Sequence, residues 1–136
     1  WPAQAINYTN KTQFLFRIQK GILDINDTGV NDYIKPENQR VPFRNMIYIG
    51  DSDTDIPCMS LVNANGGHSI GVYDPFKKDK DKVYKMMRHH RIRYYAPADY
   101  SNGSKLDTLV KQIIRKTAAY EVLEGEYIHC KYEAEE

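Results

Sequence analysis

The chain has 136 residues, of which 41% are hydrophobic and 27% charged, and its net charge is +1. This length fits one domain, or part of one, with a single hydrophobic core, and no apolar run reaches the roughly 18 residues of a membrane helix. The sequence starts at Trp1 without a basic and apolar leader, so we expect it to be part of a longer protein. Two cysteines far apart predict thiols rather than a disulfide, and a cytoplasmic location.

Short apolar runs alternate with amphipathic segments along the chain, as in β-α units. The first part predicts a short strand or extended lead-in at 5–8, a helix at about 10–20 and an irregular connection at 21–45. The next segments predict strands at 46–50, 69–73 and 92–96, with helices at about 55–62 and within 77–93. A last helix begins at Ser104, with Asp107 as a capping-box analogue, and residues 123–136 are predicted to be a flexible acidic tail. The alternation predicts an α/β fold with a Rossmann-like, mostly parallel sheet and flanking helices.

The first of these later strands ends in three carboxylates, Asp51, Asp53 and Asp55. Ligands bind at the carboxyl ends of the strands in open α/β sheets, so Asp51 lies where a site is expected. An EF-hand calcium loop is excluded, because Ile56 stands where that loop needs glycine and Val62 where it needs a bidentate glutamate. Capping of the next helix explains one or two carboxylates, and we assign Asp53 to it. A third carboxylate indicates a bound cation.

The run Gly50-Asp51-Ser52-Asp53-Thr54-Asp55 resembles the fourth motif of the haloacid dehalogenase-like (HAD) hydrolases, a glycine and an aspartate followed four residues later by a second aspartate. Residues 7–21 resemble the third motif, a lysine at the start of a helix, and residues 66–73 look like the next strand of that fold. Most members of this superfamily are magnesium-dependent phosphatases. The resemblance implies that residues 1–122 are the C-terminal part of a HAD-like core domain, with phosphoserine phosphatase-like members as the nearest comparison.

The resemblance also implies a role for each matching residue. Asp51 would be a Mg²⁺ ligand, and Asp55 would be the supporting carboxylate of the catalytic site. Lys11 would hold the phosphoryl group and the nucleophilic carboxylate; Lys20, at the other end of the same predicted helix, is the competing lysine. The family's paired-aspartate motif, whose first aspartate is the nucleophile, and its serine or threonine motif are not in the sequence. We therefore expect the chain alone to be inactive, and the substrate to be a small-molecule phosphate ester chosen by elements mostly outside it.

Two other functions stay open. The first is a non-catalytic fragment or interaction module, which would associate with itself, or with the missing N-terminal part, through the bare edge of strand 46–50. The second is nucleic-acid binding by residues 77–93, which carry eight lysines or arginines against two aspartates. Val83, Met86 and His90, together with Met87, recur on one helical stripe, which places these charges on a solvated helix face. Nucleic-acid binding is therefore the less favoured of the two.

Overall fold

The computed structural model describes residues 41–77 and 79–135. A 3-10 turn (Phe43–Asn45) precedes strand β1 (Ile47–Gly50), and a second 3-10 turn (Asp53–Asp55) leads into helix α1 (Ile56–Ala64). The remaining elements are β2 (His68–Tyr73), α2 (Asp81–Arg88), β3 (Tyr94–Pro97) and α3 (Lys105–Ala134). The predicted elements at 5–8 and 10–20, with Lys11 and Lys20, and most of the connection at 21–45 lie outside the described residues.

The three strands form a parallel sheet in the order β1-β2-β3. Ile47 pairs with His68 at the start of β1, and Ile70 pairs with Tyr94 at the start of β3. Parallel neighbours need a crossover connection, and α1 and α2 lie in the two connections. The predicted α/β fold, a Rossmann-like parallel sheet flanked by helices, is confirmed.

Among residues 41–77 and 79–135, buried apolar side chains form two clusters, against which tyrosines of the strands pack. β2 is buried along almost its whole length, as expected for the middle strand. α1 contributes to both clusters, because Cys58 and Val62 lie in the first and Met59 in the second. The clusters are Phe43, Met46, Cys58 and Val62, and Met59, Val83, Met86 and Ile92.

The first two helices end in the same way, with a residue in the left-handed region. After α1 this residue is Gly66, with a φ of 87°, and after α2 it is His90, with a φ of 59°. In the second case the Arg91 N–H donates to the Met86 carbonyl at 2.9 Å, the long-range bond of a Schellman motif. His90 is therefore exposed and outside the helix, so the predicted apolar stripe is wrong at this residue. Val83 and Met86 are buried as predicted.

The chain divides into two compact units, one ending at Ala98 and the other starting at Asp99. In the second unit Ser104 caps α3 as predicted, since its hydroxyl accepts the Asp107 N–H at 3.1 Å. The Asp107 carboxylate accepts the Gly103 N–H at 3.0 Å rather than the Ser104 N–H of a capping box. Helix α3 continues through most of 123–136, where the sequence predicted a flexible tail. Strong helix formers, including alanine, leucine and glutamate, account for this difference.

No helix among residues 41–77 and 79–135 combines the length and the apolar character needed to cross a bilayer.

Candidate functional site at the carboxyl end of the sheet

Two aspartates follow neighbouring strands at the same edge of the sheet. Gly50, the last residue of β1, pairs with Gly71, and β2 continues for two more residues to Tyr73. Asp51 and Asp74 are therefore the first residues after their strands, and both line the same clefts. The Asp51 side chain is exposed there. The structure thus places Asp51 at the carboxyl end of β1, where the sequence predicted a site.

Asp55 anchors the turn that follows β1, residues 51–55, which we call the acidic loop. Asp55 is only 9% exposed, and its Oδ1 accepts a hydrogen bond from the Tyr48 hydroxyl at 2.8 Å. Its Oδ2 accepts the Asp51 N–H at 3.2 Å, the Ser52 N–H at 3.3 Å and the Ser52 hydroxyl at 3.2 Å. These bonds hold the main chain of Asp51, whose side chain is exposed. Because protein donors occupy both oxygens of Asp55, its geometry fits a supporting carboxylate better than a direct cation ligand.

Gly50 permits the close approach of this anchor. A Cβ at Gly50 would lie 2.7 Å from the Cβ of Asp55 and 2.9 Å from its Cγ, closer than carbon atoms can pack. Any side chain at this position would therefore push Asp55 away from the N–H groups of Asp51 and Ser52. Position 50 thus requires glycine because Asp55, five residues further along the chain, packs against it.

Tyr48 is a site residue that the sequence did not single out. Burial, and then its hydrogen bond to Asp55, raise the pKa of the Tyr48 hydroxyl well above its usual range. The hydroxyl therefore stays protonated and donates to the Asp55 carboxylate at physiological pH. Its position two residues before Gly50 was the only available signal, and it is weak in a chain with 11 tyrosines.

Asp53 does not have the capping role that the sequence assigned to it. The reciprocal cap of this turn is formed by Ser52 and Asp55. Asp53 is instead exposed, with its Oδ1 3.5 Å from Nζ of Lys82 on α2. The prediction was wrong because the capping carboxylate is the one that turns towards Tyr48. This contact between β1 and the turn is not visible in the local sequence pattern.

Two clefts of about 300 Å³ each adjoin Asp51. They share Asp51, Val72, Tyr73 and Asp74. The first has a mixed charged lining, and the second is mainly apolar with Phe76 93% exposed. The other lining residues are Lys77, Asp79, Lys80, Lys82 and Val83 in the first cleft, and Pro75, Phe76 and Ala98 in the second. Asp51 is therefore accessible to a small ligand from either cleft.

The oxygen donors of this edge fit Mg²⁺. In proteins Mg²⁺ commonly takes one or two carboxylates and completes its shell with water and substrate phosphate. Asp51 offers an exposed carboxylate, and Asp74 lines the same clefts. Asp74 also accepts the Phe76 N–H at 2.9 Å through Oδ1. Across 41–77 and 79–135 no group of three His, Cys, Asp or Glu side chains is placed to hold a metal ion. Asp51 and Asp74 are the carboxylates that line both clefts.

Comparison with known proteins identifies no function. No family model matches the chain, and no solved structure matches it. A protein of Borreliella burgdorferi, described as an uncharacterized protein, is 26% identical over 101 residues, or 74% of this chain. The chain spans about a third (34%) of the length of that curated relative. The case for a function therefore depends on the sequence motif and on the geometry of the acidic loop.

Proposed function

We propose that this chain is part of a magnesium-dependent HAD-type phosphatase that hydrolyses a small-molecule phosphate monoester. The acidic loop carries this proposal. Asp51 projects from the carboxyl end of β1, and the buried Asp55 holds its main chain through a hydrogen bond of 3.2 Å. Gly50 leaves the space that this arrangement needs. Gly50, Asp51 and Asp55 also carry the resemblance to the family motif, so their contacts explain why the motif needs these residue types.

Asp51, Asp55, Tyr48 and Lys11 would each have a separate role in this reaction. Asp51 would supply a carboxylate to Mg²⁺, which when bound neutralises charge on phosphoryl oxygens. Asp55 would keep Asp51 in place, and Tyr48 would hold Asp55 through the hydrogen bond that its hydroxyl donates. Lys11, outside the described residues, would bind the phosphoryl group and the nucleophile.

The covalent step needs a residue from outside this sequence. An aspartate of the longer protein would attack phosphorus and displace the alcohol of the ester, which gives an aspartyl-phosphate that water then hydrolyses. The chain as it stands would bind the phosphate without cleaving it.

A cytoplasmic location belongs to the same proposal. The two cysteines of the chain do not form a disulfide, with Cys58 buried and Cys130 exposed on α3. An exposed thiol is typical of a reducing compartment.

A non-catalytic interaction module is the second candidate, and one observation favours it. Within the part of the chain that the structure describes, β1 pairs with β2 alone, and Ile49 at this edge is 37% exposed. An uncovered edge strand is a template for pairing with another chain. The self-association through β1, or its pairing with the missing N-terminal part, remains a proposal on this ground.

Nucleic-acid binding gains no comparable support. α2 buries Val83 and Met86, which leaves its basic residues on the outer face of an ordinary amphipathic helix. Lys82 is paired with Asp53, and Lys80 lies over the ring of Tyr73.

Mutagenesis of the longer protein tests the phosphatase proposal. Asp51→Asn should abolish magnesium-dependent hydrolysis of p-nitrophenyl phosphate, and Asp53→Asn is the matched control that should stay near wild type. Lys11→Ala should lower turnover by about a hundredfold or more, because it removes a donor aimed at charge in the transition state, whereas Lys20→Ala should change little. Asp51→Asn with wild-type activity would contradict the metal assignment, and a loss in Lys20→Ala alone would show that the other lysine is the functional one.

A further inference from the structure

The cleft that Asp51 shares with α2 is lined by both aspartates and lysines. The charged lining residues are Asp51, Asp74 and Asp79 together with Lys77, Lys80 and Lys82. We call these three lysines the lysine lobe. The cleft volume of about 300 Å³ is at the lower end of the range for small-molecule pockets. Hydrolysis of a single phosphate at Asp51 does not explain why three lysines line the same cleft.

Two amines of the lysine lobe contact neighbouring side chains, one in the cleft lining (Tyr73) and one outside it (Asp53). Lys80 Nζ lies 5.1 Å from the centroid of the Tyr73 ring, a cation-π contact. Lys82 Nζ lies 3.5 Å from Asp53 Oδ1, and its side chain is 49% exposed. Within residues 41–77 and 79–135, no carboxylate forms an ion pair with the amine of Lys77. The lobe therefore presents positive charge that the described carboxylates neutralise only in part.

The position of these lysines is unfavourable for the helix beside them. Lys80 and Lys82 flank the first residue of α2, where the helix dipole is positive and favours anions. Asp79 satisfies one N–H of this helix end, since its Oδ1 accepts the Asp81 N–H at 2.9 Å. Helix stability therefore explains the aspartates at this end and not the lysines. A bound anion would offset the repulsion among the amines and between the amines and the dipole.

We propose that the lysine lobe binds a second phosphate group of the substrate, so that the substrate is a small bisphosphorylated molecule. This inference rests on the proposed function for the first phosphate, which sits at Asp51. Lysine ammonium groups are compact point charges suited to phosphate oxygens. Lys82 is paired with Asp53, and the two amines without an ion pair among the described residues, Lys77 and Lys80, match the charge of a phosphate dianion. The limited volume favours a small bisphosphate over a polymer.

Calorimetric binding to the purified chain tests the lysine lobe, because a chain without the nucleophile does not consume its ligand. The probes are fructose 1,6-bisphosphate and fructose 6-phosphate in buffer with Mg²⁺. Wild type should bind the bisphosphate at least about tenfold more tightly, as expected for one added set of charge-assisted contacts. Lys77→Ala/Lys80→Ala should lose this preference and keep its affinity for the monophosphate. Lys85→Ala is the control, since Lys85 is exposed on α2 and does not line the cleft.

Asp51→Asn separates this inference from the proposed function. It should weaken both probes by a similar factor and leave the preference for the bisphosphate intact. If Asp51→Asn changes neither affinity and the lysine double variant still loses the preference, the lobe is supported and the phosphate site at Asp51 is wrong. Equal affinity of wild type for the two probes, or a preference that survives in the double variant, would overturn the lysine lobe. Lys77→Gln, a single change at an exposed residue, supplies the same comparison if the double variant does not fold.

Discussion

Replacing Asp55 by alanine should lower the free energy of unfolding by about 2–3 kcal/mol. The Tyr48 hydroxyl bond at 2.8 Å is the shortest that the carboxylate accepts from the described residues, and a hydrogen bond to a charged group contributes about 1.5–3 kcal/mol. The bonds from Ser52 and from the Asp51 N–H are longer, at 3.2 and 3.3 Å, and only partly buried. Water can satisfy these donors after the substitution, so they add little to the loss at Tyr48.

Urea unfolding followed by far-ultraviolet circular dichroism measures this loss. Asp53→Ala is the matched control, because it removes a neighbouring carboxylate whose exposed pair with Lys82 contributes only about 0–1 kcal/mol. The anchor role requires a clear gap between the two variants. A loss in Asp55→Ala no larger than that in Asp53→Ala would show that the buried carboxylate does not hold the loop.

Three further predictions concern the same region. Gly50→Ala should destabilise the fold by about 1–3 kcal/mol because its Cβ would meet Asp55, whereas Gly125→Ala, with open space around it on α3, should be neutral or stabilising in the same unfolding assay. Folding raises the pKa of Tyr48, so its contribution to the free energy of unfolding is complete below the unfolded pKa of about 10 and is lost as pH rises above it. A stability difference between wild type and Tyr48→Phe that is the same at pH 8 and pH 11 would refute this. Ile49→Lys should convert a self-associated chain to monomer in sedimentation, and a wild-type chain that is already monomeric would argue against association through β1.

Local patterns predicted the order and type of the described elements, while tertiary contacts set several of their limits. β2 was predicted to within one residue, because its run from Ile70 to Tyr73 has no polar interruption. β3 starts at Tyr94 rather than at Ile92, since Ile92 is buried in the core before the strand begins. A buried loop residue and a strand residue look alike in sequence. The end of α2 was missed for a related reason, because a left-handed residue that is not glycine carries little local signal.

The candidate site was predictable where it depends on chain direction, and not where it depends on contacts between elements. A strand followed by an acidic turn was enough to place Asp51 at the carboxyl edge of the sheet. The contact of Tyr48 with Asp55 and the pairing of Asp53 with Lys82 arise only after β1 and α2 take their places. The roles of Lys11 and of the magnesium ion remain predictions from the family resemblance.

Titration of the chain with Mn²⁺ tests most directly whether a cation is held by Asp51. Mn²⁺ prefers the same oxygen ligands as Mg²⁺ and broadens nearby amide signals in nuclear magnetic resonance spectra. We predict that the amides of Asp51 and Asp74 broaden first and that Asp51→Asn removes this effect. Broadening that begins instead among the glutamates of α3, or that is unchanged in Asp51→Asn, would contradict a metal site at the end of β1.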